Sequence, residues 1–588
     1  MKSNKFIHAT LLLPAWMVVL CLIMSFHFIL IPLFLEQYDT VMTYSPTIVQ
    51  HADPVFTHIP ILRKLLGGIP SFGDQFVLLE DVEVNINAWP RLPYYLMSLI
   101  SYPVMNHLDV IPLVSTVLLT PVHAALLYVW VRRITGSISV SILGSSVALL
   151  FRELFVLQPW HWVNVNQIKG LLNSPFFSNA LIHPQISFGV CCFSLILIYQ
   201  FMMRPSKKLC IGVGIVYGVS FYTYFYLWTY LTLLLGLIGI YLLFQRDIAA
   251  ISLMLKAVCL ALVISTFYWM DYWQFSQTAG FVDFQDRFAL SRIPDLTERL
   301  VNLRPHLITV LYFIFVISSR RSKQYLYLLL VVVAAEILWK APIVIGRDYQ
   351  SLHYAYHFFG PFVAIVFMFL LRELLFKIVQ PNSFFIAGIV FVSAIVVTSI
   401  GLYRSYQYSL SNHTAFSIEK DVYDAYEFVQ NNVSAESIIV VADPEVNMRI
   451  RNVAPIYVYV PSGYGTFATT DEMLTRYIEM KKFYDIDLDY SLDYKWYDSI
   501  HDEYIEPGLL ETNRWLFNGS LKYNDNILRE EAIISINDSR QFKSLTYDAD
   551  LVWFGPYEKS VSDININKLQ DLMLVYSNNS VDLYKFAK

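Results

Sequence analysis

Charge is the first thing this sequence lacks. Only 15% of its 588 residues are Asp, Glu, Lys or Arg, against about 25% in soluble globular chains. The hydrophobic share is 56% and mean hydropathy is +0.47, so the balance is wrong for a chain surrounded by water. Net charge is −5 with no basic tract, which argues against a nucleic-acid binder. Cysteine is scarce too. All five (Cys21, Cys191, Cys192, Cys210, Cys259) lie in or beside apolar runs and none follows residue 259. A disulfide framework in the C-terminal third is excluded, and without a CxxC pair no metal or redox site is indicated. There is no HExxH, no P-loop and no GxGxxG opening a helix, so neither a zinc protease nor nucleotide hydrolysis is indicated. A nucleotide-sugar donor is disfavoured for the same reason. Inverted repeats of the kind many secondary transporters carry are absent as well.

Long apolar runs are what the chain has. A spanning helix needs roughly 20 mostly apolar residues. Runs of that kind occur at about 10–35, 109–131, 137–157, 184–203, 209–224, 227–244, 249–270, 305–319, 324–345, 354–376 and 383–403. This predicts a polytopic α-helical membrane protein of about eleven spans. The first run is too long for a signal peptide and has no small-x-small cleavage pattern after it, so it reads as a retained anchor. Basic clusters fall beside alternate connections only: Lys2 and Lys5, Arg132/Arg133, Arg204/Lys207/Lys208, Arg246, Arg320/Arg321/Lys323, and Arg372 with Lys377. Cytoplasmic loops carry the Lys and Arg excess. The N-terminus is therefore expected in the cytoplasm and the C-terminus outside. Every long connection (36–90, 158–183, 271–304, 346–353) then falls on the non-cytoplasmic face, the side where loops would carry function.

Residues 1–405 read as the membrane domain, with its large first outer loop at 36–90. Residues 406–588 read as an extracytoplasmic α/β domain holding 16 basic and 29 acidic residues. Helical spacing marks 418–431, and a second helix follows the caps Thr469 or Thr470. SIIVVAD (437–443) and ADLVWFG (549–555) are buried strands by length and branching. LMLVYSNNSVDLYKF closes the chain as a hairpin turning at Asn578/Asn579, and the Tyr- and Asp-rich 484–506 reads as loop. Charges inside apolar runs (Arg152/Glu153, Lys256, and Glu336 with Lys340 at i, i+4) are expected to pair internally or to line a polar cavity.

The first outer loop carries the most chemistry. Asp39 follows the first span directly, then come Asp53 and His58, and VFTHIPILRKLL can form an amphipathic helix ended by Gly67-Gly68-Ile69-Pro70. Lying on the interface, it would turn Ile59, Leu62 and Leu66 to lipid and His58 and Arg63 toward water. A carboxylate there can take a proton from a hydroxyl while basic groups hold a phosphate; a solvated acid at a helix end is the plain alternative. Arg91, His161 in Trp160-His161-Trp162, and Lys169 are further outer-face candidates for a phosphate. GRDYQSLHYAYH (346–357) adds Arg347, whose planar fork suits diphosphate oxygens, with His353 and His357 at i, i+4. Two histidines without a third ligand of known spacing give a metal no support. The Tyr-rich 220–230 reads as an interfacial girdle, although aromatics also stack on sugars.

A long first span, an Asp just outside it, an amphipathic stretch running into Gly-Gly-Ile-Pro, ten or so further spans and an outward α/β tail ending in a hairpin resemble the GT-C superfamily of integral-membrane glycosyltransferases, its poorly characterised bacterial members in particular. The resemblance implies transfer of a sugar from a polyprenyl-phosphate-linked donor on the non-cytoplasmic face, with Asp39 as the catalytic acid-base residue by position and Asp53 its competitor. It implies the bacterial inner membrane, or the ER membrane in a eukaryote. No WWD-type motif occurs in the tail (WMDYW at 269–273 follows the seventh span), which argues against an oligosaccharyltransferase. The paired acids of dolichol-dependent mannosyltransferases are missing too. No cofactor is indicated. The alternative reading is a non-catalytic lipid-handling, transport or assembly protein for cell-surface polysaccharide.

Overall fold

The computed structural model describes residues 2–38, 41–46, 58–69, 73–77, 90–105, 107–176, 180–287, 305–318, 323–347, 349–379, 383–463, 466–486, 545–561 and 572–587, with short pieces at 497–498 and 503–504. The chain divides into two compact units. The first comprises Met1–Tyr38, Pro90–Met270 and Ile293–His413; the second comprises Asp39–Trp89, Asp271–Arg292 and Thr414–Lys588.

In the first unit every apolar run of the sequence is helical. The helices are α1 (Lys2–Tyr38), α3 (Arg91–Ser101), α4 (Ile111–Thr135), α5 (Ile138–Leu150), α6 (Arg152–Val156), α7 (Val165–Leu172), α8 (Gln185–Met203), α9 (Lys207–Phe221), α10 (Phe225–Phe244), α11 (Ile248–Ile264), α14 (Leu307–Ser318), α15 (Lys323–Ile345), α16 (Gly360–Val379) and α17 (Ser383–Asn412). Among the described residues six helices are long and apolar enough to cross a membrane, and a seventh span results if α11 and the aromatic α12 (Thr266–Ser276), bent by 51°, are counted together. α5 and α14 are apolar but shorter. These helices are apolar on most faces because one side meets protein and the other lipid. Exposed Val18, Leu22, Leu118, Leu262 and Val263 are the lipid-side residues of such helices.

Two ion pairs lie inside this unit. Lys340 Nζ lies 2.9 Å from Glu336 Oε1, one turn apart on α15, and the same carboxylate accepts from the His306 amide. Glu153 pairs with Arg404 of α17, at 3.3 Å. The Arg404 guanidinium also donates to the carbonyls of Leu150, Ser174 and Pro175. Five donors in a fixed fork make such a knot possible for Arg and not for Lys.

The second unit is α/β. Its five-stranded sheet has β3 (Ile438–Val440) parallel to both β4 (Tyr457–Val458) and β5 (Leu551–Phe554), followed by β7 (Asp582–Phe586) and the edge strand β6 (Leu572–Ser577), in the order β4-β3-β5-β7-β6. The central strands β3 and β5 are wholly buried, as their unbroken apolar runs require. α18 (Lys420–Asn432), α19 (Pro444–Val453), α20 (Thr470–Phe483) and the short α21 (Pro556–Val561) accompany the sheet. Thr469 caps α20 by accepting from the Glu472 amide at 3.2 Å. The hairpin turns where expected, Asn578 Oδ1 accepting from the amides of Ser580 and Val581. Glu558 staples the ends of β3 and β5: its carboxylate accepts from the amides of Ala442, Asp443 and Gly555.

The expected boundary at 405/406 lies close to Thr414, where the second unit resumes. That unit also takes in outer-loop residues. β1 (Met42–Tyr44) pairs antiparallel with β2 (Ser417–Glu419). α2 (Ile59–Leu66) packs with α19, and α13 (Phe281–Arg287) holds the turn before α20. The expectation that α2 turns Ile59 and Leu62 to lipid is overturned: both are at most 1% exposed, and Ile61 and Lys64 on other faces are buried as well. A helix with Ile59, Pro60, Ile61, Leu62 and Lys64 all buried in protein is part of a core, not an interfacial float. It still ends at the glycines, with Gly67 donating to the Arg63 carbonyl. Most of 484–506 lies outside the described residues.

Candidate functional site

Three connections of the first unit meet at one point. They are the turn before α8, the turn between α9 and α10, and the segment between α15 and α16. All three join helix ends remote from the ends that carry the basic clusters. Tyr224 stands at the centre. Its hydroxyl lies 2.6 Å from His353 Nδ1 and 3.3 Å from His357 Nε2. The His183 ring stacks on the Tyr224 ring, with centroids 4.2 Å apart. The Tyr226 ring stacks on His353 at 4.4 Å and 10°, while its hydroxyl donates to Gln350 Oε1 at 3.0 Å.

Local sequence explains the arrangement. Tyr222–Tyr224 break the path between α9 and α10, so Tyr224 and Tyr226 face inward from a turn and a first helical turn. The chain then enters α16 through one α turn (Leu352–Tyr354) and a π turn (Ala355–Phe359). A π turn is a local strain, seen mostly at functional sites. Gly360, just after it, lets the chain pass close to α6, because a methyl at that position would come within 2.5 Å of the Arg152 carbonyl. Arg152 is wholly buried beside the Phe188 ring and is a charged neighbour of His357.

The residues singled out in the sequence are distributed as follows. His353 (half-buried) and His357 (buried) belong to the cluster. Arg91 opens α3, and the next amide, Leu92, donates to the Tyr222 carbonyl at 3.2 Å, which ties that helix to the aromatic turn. Arg347, His161 and Lys169 are exposed on the same unit. His58 (8% exposed) and the half-buried Arg63 are in the second unit on or beside α2. Asp39 and Asp53 lie outside the described residues. Among the described residues no group of three His, Cys, Asp or Glu could hold a metal ion. Sequence reasoning left out Tyr224, Tyr226 and Gln350, and placed His183 in another loop. Their one signal was the density of Tyr at 222–230, which spacing alone cannot aim.

The second unit has a polar knot of its own. Asp74 accepts from the amides of Phe76 and Val77 through one oxygen, and from the Thr466 hydroxyl and the Phe467 amide through the other. Arg287 donates to the carbonyls of Thr466 and Ala468, and Asp283 accepts from the Thr470 amide. Lys64 sits with its ammonium 3.8 Å over the Tyr457 ring. Burial pushes its pKa down to about 7, helped by nearby Arg451 and opposed by Asp74 and Glu436. Burial likewise raises the Glu558 carboxyl above the usual range. These groups hold loops together.

No known family profile matches the chain, and no curated protein matches it. Among solved structures, ArnT from Cupriavidus metallidurans bound to undecaprenyl phosphate is similar at 11% identity and a TM-score of 0.49, over 98% of this chain and 97% of that one. ArnT in the apo state is similar at 12% identity and 0.46, over 95% and 97%. An Archaeoglobus fulgidus oligosaccharyltransferase tethered to an acceptor peptide is similar at 10% identity and 0.43, over 97% and 74%.

Proposed function

We propose that this chain is an integral-membrane glycosyltransferase that moves a sugar from a polyprenyl-phosphate-linked donor to an acceptor on the non-cytoplasmic face. The observation that carries the reading is the makeup of the second unit. Segments 39–89, 271–292 and 414–588 are separated in sequence by membrane helices yet fold as one body, as segments emerging on one side of the bilayer would. The basic clusters beside the alternate connections assign that side to the exterior. The meeting of the 183, 224 and 353 connections supports the same alternation.

In this reading Asp39, the residue after α1, takes the proton of the acceptor hydroxyl as its oxygen bonds to the anomeric carbon. The bond from that carbon to the phosphate oxygen breaks, and polyprenyl phosphate leaves with the electron pair. Asp53 and His58 are the assisting candidates. Arg91 and His353, on the aromatic side, and Arg63, Lys169, Arg347, His161 and His357 are candidate contacts to the phosphate or the sugar.

The test is mass spectrometry of lipid-linked sugars in a deletion strain complemented with variants. Asp39→Asn is expected to leave the donor accumulated as in the deletion, at wild-type protein level. Clearance of the donor by both Asp39→Asn and Asp53→Asn would remove the assigned base. A deletion strain in which no lipid-linked sugar changes would favour the lipid-handling alternative.

A further inference from the structure

We propose that Tyr224 is a positioning residue: its hydroxyl donates to Nδ1 of His353 and holds that imidazole in the tautomer whose Nε2–H can donate to a phosphate oxygen. The inference rests on the reading of His353 as a contact to the phosphate of a lipid-linked donor, and names the residue that prepares it.

The two distances favour one direction for the hydrogen bonds. One phenol proton is shared among two ring nitrogens, so one of the two must donate to the phenol oxygen. Hydroxyl donors approach their acceptors more closely than N–H donors do. We assign the 2.6 Å contact to His353 Nδ1 as the O–H···N bond, which makes the 3.3 Å contact to His357 Nε2 an N–H donating to Oη. A neutral imidazole has one donor and one acceptor nitrogen, and the bond at one sets the other. With Nδ1 accepting, the proton of His353 is on Nε2. The chain His357 to Tyr224 to His353 runs from a ring 3% exposed to one half-buried, so the prepared donor is at the accessible end.

Both rings are held in plane from outside the relay. His183 stacks on Tyr224, and Tyr226, itself tied to Gln350, stacks on His353. Among the described residues the buried Arg152 is a charged neighbour of His357, and the carboxylate of Glu153 pairs with Arg404. An anion is the ligand this field accepts. The π turn at Ala355–Phe359, directly after His353, fits a segment shaped to aim a side chain.

The experiment uses the full chain in lipid nanodiscs, labelled with 15N-histidine. At a pH where the rings are neutral, the His353 signals, identified by their loss in His353→Gln, are expected to show a single Nε2–H tautomer. Tyr224→Phe, which keeps the ring and its stack, is expected to turn this into a mixture. An unchanged His353 tautomer in Tyr224→Phe would overturn the relay, whatever the protein's substrate.

The second arm measures binding of a polyprenyl phosphate, with the free polyprenol and inorganic phosphate as separate probes. A ring divided between two tautomers presents its Nε2–H only part of the time, so Tyr224→Phe should weaken the lipid phosphate roughly twofold. In His353→Gln, whose amide is a donor without a tautomer to fix, Tyr224→Phe should change nothing further. Equal binding of polyprenol and its phosphate by the wild type would overturn the phosphate assignment and the function reading together, leaving the tautomer result to stand by itself. Binding of inorganic phosphate as tight as that of the lipid phosphate would show an anion site without a lipid donor, and would overturn that reading alone.

Discussion

Asp74 and Lys64 show how the first outer loop is fixed to the second unit. The four hydrogen bonds accepted by Asp74 come from two stretches nearly four hundred residues apart. Asp74→Ala leaves three buried amides and a hydroxyl without this acceptor, each at a penalty of about 1–3 kcal/mol. Hydrogen exchange should show it directly, as lost protection at the amides of Phe76, Val77 and Phe467 with little change in β5; unchanged exchange would deny Asp74 its role. Burial holds the Lys64 amine at about 7 in the folded chain, below the ordinary 10.5 of an exposed lysine. The unfolded chain then binds more protons between those values, so this group's penalty is full below pH 7, fades as pH rises, and is gone above about 10.5. Lys64→Met should stabilise the second unit by ~1–4 kcal/mol near pH 6 and by progressively less toward pH 10. An equal gain at both pH values, read by denaturation of the purified chain, would contradict the shifted amine. Neither residue was legible beforehand. A lone Asp after a Gly and a Lys on an amphipathic helix look solvated until the partner surface is known, while His353 and His357 stood out because i, i+4 spacing needs no tertiary information.

Elements were more legible than their surroundings. Runs of apolar residues became helices because a backbone in lipid must satisfy its own hydrogen bonds, and the β6–β7 hairpin followed from its Asn turn. α2 was misplaced for a physical reason: an apolar stripe beside a membrane loop fits a lipid surface and a protein core equally well, and periodicity does not say which covers it. Close helix packing was not foreseen either. α9 lies against α11 at Gly218, where a methyl would be 2.7 Å from Ile264 Cβ, a small-residue approach of the kind that membrane helices use. Gly218→Val should therefore separate α9 from α11 and sharply reduce the detergent-stable protein. Wild-type yield and melting temperature would show that the two helices tolerate a wider spacing.

At the scale of the whole molecule, an outward-facing enzyme requires one particular path of the chain through the bilayer. Alternating basic clusters carry the expectation for that path, because charge bias at helix ends acts locally and needs no fold. The gathering of three loop segments into one unit was not readable, since it depends on contacts such as Thr466 to Asp74 and Glu419 to Met42. The most direct test places single cysteines, in a background without the five native ones, at the exposed Ala435 of the second unit and at the exposed Gln245 between α10 and α11. With a membrane-impermeant maleimide on intact cells, Ala435→Cys should label at once and Gln245→Cys only after the membrane is permeabilised. Labelling in the opposite order would put the second unit, Asp39 and the proposed chemistry in the cytoplasm, and would contradict the account.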